Sequence, residues 1–343
     1  MIHMKKTLII LGIILFLLGA GGVAAAYYIL FAPNTQNTKD ITVSVPRNAT
    51  LADVMDAFDN QEILKNESTF GLAVKIMRFK TMRCGKYNIT PRMRNYDLVR
   101  MLRAGQHYPV KFSFNNIRTM RQFVDHVGNR FFFEPKELAA LLLDPDFLQK
   151  YNVTPATAPT LFIPNTYEIF YDVTPEEFID KLYSYTKHFW NERRRALADS
   201  IGLTPVEVAT LASIVEEENF RPSEKAVIAG LYINRLRKGM LLQSDPTVKY
   251  AIHDFARQRI LNSDLQVESP YNTYKYKGLP PGPIRIPEAS TMDSVLHYRH
   301  HNYLYMCAKE DFSGYHNFTA SAAEHARNAA RYRAALNKQN IKR

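Results

Sequence analysis

Hydrophobic positions change period several times along the chain, and each change marks an element. Thr7–Ala32 carries no charged residue and is apolar almost throughout. That is long enough to cross a bilayer, which takes about 20 residues. Pro33–Asp40 is polar and reads as a linker. Ile41–Val45 alternates as a strand. A helical run follows over 51–64, with Leu51, Val54, Met55 and Phe58 on one face. A second helical run covers 68–78, a short strand 85–90, and a helix 94–104 that closes on Gly105. Pro109–Phe114 alternates again. Residues 118–143 read as helical and Phe-rich, with Phe131–Phe133 in the core. A capped helix then runs from Thr174 to about Ala198 and carries Trp190, with Arg193–Arg195 as a solvated face.

The central pattern lies between Thr204 and Ile252. Thr204-Pro205-Val206-Glu207 is a capping box with Pro at the first helical position. Val208, Leu211, Ala212 and Val215 form the apolar stripe of the helix it opens. At about 100° per residue, Glu217 falls opposite that stripe and reads as a solvated residue. Glu216 and Glu218 fall on its two flanks. Either could enter a cleft with a raised pKa, as a general acid at neutral pH requires, and periodicity does not choose between them. Pro222 restarts a helix that stops at Gly239. Asp245 precedes Pro246, so it marks a turn. Asp245 and Thr247 read either as caps of the helix over 247–252 or as the border of a binding site with Gln243. Ser269–Tyr274 is a polar-aromatic loop suited to sugar, because Tyr271 and Tyr274 offer ring faces and Asn272 and Thr273 directional hydrogen bonds. Leu279–Pro283 is a rigid turn. Residues 303–308 read as a strand, and Ser321–Glu324 is a second capping box. His297, His300 and His301 have no acidic residues at ligand spacing and read as a solvated helix end, so no metal is expected.

Composition then narrows the class. The 343 residues are 46% hydrophobic and 22% charged, an ordinary globular balance with room for two soluble domains. Lys5 and Lys6 precede the apolar run, which orients the N-terminus to the cytoplasm and the remainder outside. A cleaved signal peptide is the alternative, and it exports the chain equally. The net charge of +11 suits anionic lipid or an anionic glycan; nucleic acid is excluded by export. Cys84 and Cys307 are far apart and are expected to be free and buried.

Ser213–Glu218 (SIVEEE), Ala229–Leu236 (AGLYINRL), Leu241–Ile252 (LLQSDPTVKYAI), Tyr271–Tyr274 (YNTY) and Gly278–Ile284 (GLPPGPI) occur in that order. In this the chain resembles the MltG/YceG-like endolytic murein transglycosylases over roughly 160–338, and less closely over about 41–107. The resemblance implies an α+β chain: a cytoplasmic tail (1–6), a transmembrane helix (7–32), a linker (33–40), a LysM-like subdomain (41–107), a connecting segment (108–160), and a mixed catalytic domain (161–338) with the two central helices beside a sheet. It places the catalytic acid on Glu216, at the close of Ser-Ile-Val-Glu. It places Glu218, Gln243, Asp245, Thr247, Tyr271, Asn272, Thr273, Tyr274 and His316 around the substrate. The family's Glu-Gly pair ahead of Leu-Phe-Pro and the Asp directly after it are replaced here by Pro159-Thr160 and Asn165.

The resemblance further implies a cut in nascent peptidoglycan strands near the membrane, partnership with murein synthases, and no cofactor. One acid suffices when the substrate carries its own nucleophile, and a muramic acid residue does, in its C6 hydroxyl. Protonating the glycosidic oxygen and then accepting the C6 hydroxyl proton closes a 1,6-anhydro ring. A hydrolytic muramidase needs a second carboxylate, Glu218 or Asp245. A non-catalytic glycan-binding scaffold needs neither.

Overall fold

The computed structural model describes residues 2–46, 48–80, 82–105, 108–218, 221–257 and 260–338, with side chains from Ile10 onward. Met1 of the expected tail, and Gln106 and His107 at the end of the 41–107 subdomain, lie outside it. The chain divides into two compact units, Met1–Lys111 with 129–133 and 168–174, and the remainder. Most of 108–160 belongs to the second unit.

The first unit opens with α1 (Ile2–Phe31), whose stretch Ile10–Phe31 is long and apolar enough to cross a bilayer. Then come β1 (Ile41–Val45), α2 (Leu51–Asp59), α3 (Glu67–Ile76), β2 (Gly85–Ile89) and α4 (Asn95–Ala104). β1 and β2 pair antiparallel, with Ile41 opposite Ile89 and Val45 opposite Gly85. Val43, Tyr87 and Ile89 turn inward and meet Val54, Phe58, Phe70 and Leu98 in one core. Thr50 and Asp53 form the capping box that starts α2. Gly105, left-handed at φ 69°, ends α4.

Residues 33–36 depart from expectation. The polar segment is a buried strap, with Asn34 5% and Thr35 1% exposed. Asn34 and Thr35 N–H both donate to Met93 O, Gln36 N–H donates to Ile63 O, and Lys65 N–H donates to Asn34 O. Asn34 Nδ2 donates to Asn95 Oδ1 at 2.7 Å, and Asn95 Nδ2 donates to Ile29 O at 2.9 Å and Thr69 Oγ1 at 3.2 Å. Polar composition here satisfies buried backbone.

β3 (Pro109–Ser113) and β4 (Thr166–Phe170) each cross the boundary between the units, and the second unit carries α5 (Met120–Val127), α6 (Pro135–Leu143), α7 (Pro145–Gln149), α8 (Pro175–Phe189), α9 (Glu192–Ile201), α10 (Pro205–Glu218), α11 (Pro222–Arg237), α12 (Asp245–Ala251), α13 (Ala289–Leu296), β5 (Tyr305–Ala308), β6 (His316–Thr319) and α14 (Ala322–Lys338). The helix expected over 118–143 breaks after Val127 at Gly128 and restarts at Pro135. The one expected to Ala198 breaks at Asn191, which caps α9. Phe131 and Phe133 are buried. Among the described residues the strands form three two-stranded sheets. α10 and α11 pack on each other and on α13, through Leu211, Val215, Ile228, Tyr232, Val295 and Leu296, and Met306 of β5 and Phe318 of β6 lie against the same core. Gly282 allows a close approach, since a Cβ there would lie 2.0 Å from Ala156 O.

Candidate active site

α10 ends in three carboxylates, and the fold sends each to a different place. Glu216 is 5% exposed. Its Oε2 accepts the Glu288 N–H at 2.9 Å, and its Oε1 lies 3.1 Å from Arg285 Nη2. Glu217, expected in solvent, is clamped by two arginines: Arg285 Nη1 donates to Oε1 at 2.8 Å, and Arg118 donates to Oε1 at 2.9 Å and Oε2 at 3.1 Å. Arg285 also donates to Asn116 Oδ1 at 2.9 Å. Glu216 and Glu217 are thus members of a buried ionic cluster.

Glu218 leaves the helix on the other side and lines a cavity of about 370 Å³. Tyr232 Oη, from α11, and Ser244 Oγ, at 2.6 Å, both donate to its Oε1. Among the described residues Oε2 takes no hydrogen bond, which leaves that oxygen for a ligand. Burial pushes the Glu218 carboxyl above its ordinary range; the Ser244 and Tyr232 hydroxyls and nearby His316 pull it down, and nearby Asp245 adds to the rise. A carboxyl raised in this way keeps its proton to a higher pH than an exposed one.

The loop after α11 builds the opposite wall. Arg235, 7% exposed, holds that loop by donating from Nη1 to Leu242 O at 2.8 Å and from Nε to Leu304 O at 2.6 Å. Gln243 sits at φ 52° and gives its N–H to Thr273 O at 3.1 Å, which turns the following residues toward Glu218. Asp245 accepts from Tyr274 Oη. Burial, first, and then Asp245 raise the Tyr274 phenol, so it donates. His316 closes the cavity from β6; its N–H and Nδ1 lie 3.0 and 2.8 Å from the two oxygens of Glu224.

The structure therefore gathers Glu218, Gln243, Asp245, Tyr274 and His316 around one cavity. It keeps the other predicted contacts behind the wall. Thr247, Asn272 and Thr273 are at most 2% exposed and have no surface to offer a substrate. Thr247 Oγ1 and Thr273 Oγ1 bond each other at 2.8 Å. Asn272 Nδ2 donates to Leu265 O and Val267 O, and its Oδ1 accepts the Tyr274 N–H. Tyr271 packs on Tyr250 with ring centroids 4.7 Å apart. Asp245 begins α12 but the cap is Ser244. Sequence reasoning missed Tyr232, Arg235 and Ser244, which lie inside the same motifs, and Glu224, which lies between two of them; all read as ordinary helix or loop residues. Arg194 pairs with Asp293 at 2.8 Å, and His301 Nε2 meets Val227 O at 2.9 Å. Among the described residues no cluster of His, Cys, Asp and Glu could hold a metal. Cys84 and Cys307 are half-buried, and Cys84 Sγ donates to Asp172 Oδ2 at 3.7 Å.

Residues 43–331 match the sequence profile of the YceG-like family. The chain is 26% identical to the endolytic murein transglycosylase of Bacillus subtilis, over 90% of each chain. It is 26% identical to the protein of that name from Streptococcus pneumoniae serotype 2, over 96% of this chain and 66% of the pneumococcal one. The crystal structure of a YceG-like protein from Listeria monocytogenes, 27% identical, superposes with a TM-score of 0.56 over 85% of this chain and 99% of that one.

Proposed function

The chain belongs to the YceG-like family, and from that premise we propose that it is a peptidoglycan lytic transglycosylase whose catalytic acid is Glu218. The observation that carries the assignment is the cavity: Glu218 enters it as a carboxyl raised by burial, whereas Glu216 is turned away onto Arg285. An ion-paired carboxylate has no proton to give, and a buried carboxyl facing hydroxyl donors does.

Glu218 protonates the oxygen joining N-acetylmuramic acid to N-acetylglucosamine, and the bond breaks as positive charge builds at the muramic C1. The Glu218 carboxylate so formed takes the C6 hydroxyl proton while that oxygen attacks C1, closing the 1,6-anhydro ring and returning the acid. Ser244 and Tyr232 suit both halves, since each hydroxyl steadies the carboxylate without contributing a charge. Asp245, fixed by Tyr274, supplies negative charge beside the cationic centre. The same Asp245 is the carboxylate that a hydrolytic route would use to activate water.

α1 anchors the chain in the cytoplasmic membrane, with both units on its outer side and Lys5 and Lys6 within. The β1–α2–α3–β2 arrangement has the element order of a LysM-like module and is read as a glycan contact. Cutting strands close to the bilayer ends their elongation, in company with the murein synthases that make them.

Mass spectrometry of fragments released from purified peptidoglycan tests the chemistry. The full chain is required, because Ile29, Leu30 and Asn34 are built into the first unit. Anhydro-ended fragments are expected from wild type and from Glu216→Gln, and none from Glu218→Gln. Loss of product in Glu216→Gln with retention in Glu218→Gln would return the role to Glu216. Reducing-end fragments would make the enzyme a hydrolase.

A further inference from the structure

The first unit is electrically two-sided. Residues 51–67 carry Asp53, Asp56, Asp59, Glu62 and Glu67 against Lys65 alone, whereas 75–103 carry nine Lys or Arg against Asp97 alone. The apolar helix docks on the basic half. α1 packs on α3 and α4. Asn95 fastens the Ile29 carbonyl to Thr69 at the start of α3, and the Phe31 ring meets Tyr96 at 5.3 Å and has the Arg94 guanidinium 5.8 Å from its centroid. Ala26, Ile29 and Leu30 are partly covered, whereas Tyr27 and Tyr28 are 66% and 68% exposed. The unit therefore meets α1 within the last two turns of its apolar stretch, at the level where tyrosines favour the membrane interface.

α3 then presents an apolar pair with nothing over it. Leu72 and Ile76 are each 45% exposed and stand four residues apart on one face. Lys75, Arg78 and Lys80 are exposed beside them. Arg103 from α4 reaches the Met77 carbonyl, which brings a further cation to that end of the helix.

We infer that this face of the first unit, centred on Leu72 and Ile76, lies in the headgroup region of an anionic membrane and holds the unit against the lipid. Apolar side chains bounded by cations suit that boundary: the first enter the acyl edge and the second meet lipid phosphate. The buried strap at 33–36 gives the unit no slack by which to lift away. This rests on the membrane-anchor reading of α1.

The test uses the full chain in nanodiscs of phosphatidylglycerol and phosphatidylcholine with brominated acyl chains. A single tryptophan is added at Leu72→Trp, Tyr27→Trp or Gln61→Trp, and each emission is read as the difference from the parent, whose one tryptophan is Trp190. Bromine is expected to quench Leu72→Trp nearly as strongly as Tyr27→Trp and to leave Gln61→Trp, beside α2, unquenched. Adding Lys75→Glu and Arg78→Glu is expected to weaken the Leu72→Trp quench several-fold on these discs. Quenching at Tyr27→Trp with none at Leu72→Trp overturns the proposal and leaves the anchor standing. Quenching at neither overturns the anchor, and the proposal with it.

Discussion

Glu216 and Glu218 sit two residues apart at the end of α10, and their surroundings have little in common. Two residues is about 200° of helix, so one side chain faces inward toward α13 and the other toward α11 and the loop after it. On the first side stand Arg285 and Arg118, and the carboxylates there are matched by cations and a backbone N–H. On the second, the Glu218 carboxyl is bonded by the hydroxyls of Tyr232 and Ser244. Burial is shared; the compensating charge is not. The difference teaches that removing a carboxyl from water yields a rigid joint when arginine accompanies it, and a proton donor when only hydroxyls do.

The largest expected effect sharpens the contrast on the cavity side. Glu218→Gln should lower turnover about 10²–10⁴-fold, the range of a general acid, with the thermal melt intact; a variant within a few-fold of wild type in a fragment-release assay breaks the comparison. On the arginine side the effect should be stability instead. Arg285→Met leaves Glu216 without its cation, while Glu217 keeps Arg118, and should cost about 3–5 kcal/mol in denaturant unfolding, the range for breaking a buried pair.

A third test separates the two by pH. The folded Glu218 holds its proton above the unfolded value of about 4.3. Between that pH and its raised folded pKa the folded state binds more protons, so this group's contribution to stability falls as pH rises and levels off above. Glu218→Gln removes that fall. Its melting temperature should exceed wild type at pH 8, with the gap shrinking toward pH 4; a gap independent of pH counts against a raised carboxyl. The smallest effect is Ser244→Ala. Removing a hydroxyl that favours the carboxylate should move the alkaline limb of the pH–rate profile upward by less than about one unit, the worth of one neutral hydrogen bond.

Local rules made much of this legible. The capping box at Thr204, the stop at Gly105 and the short strands over 41–45 and 85–90 place their elements within a residue or two. Breaks were harder. Gly128 and Asn191 interrupt helices whose apolar period runs on across them, because the period records burial and not continuity. At the site, a helical wheel brought the choice down to two flanking carboxylates and stopped there. What separates them is Arg285, 69 residues beyond Glu216 in the chain, and Tyr232 and Ser244 on the far wall. No local pattern reports which distant side chain will stand opposite. Asn272 and Thr273 show the same limit: a sugar-binding composition and a loop-bracing composition are the same residues, and only their exposure tells them apart.

The strap at Pro33–Gln36 has a kinetic meaning. With α1 in a bilayer, a body on a slack tether wanders through a hemisphere of solution and meets polymer at a rate set by bulk concentration. The first unit has no such freedom: it can glide and spin with the helix that carries it. Its encounters are then collisions in a plane at fixed height, governed by lateral diffusion and by how many strands lie over each patch of membrane.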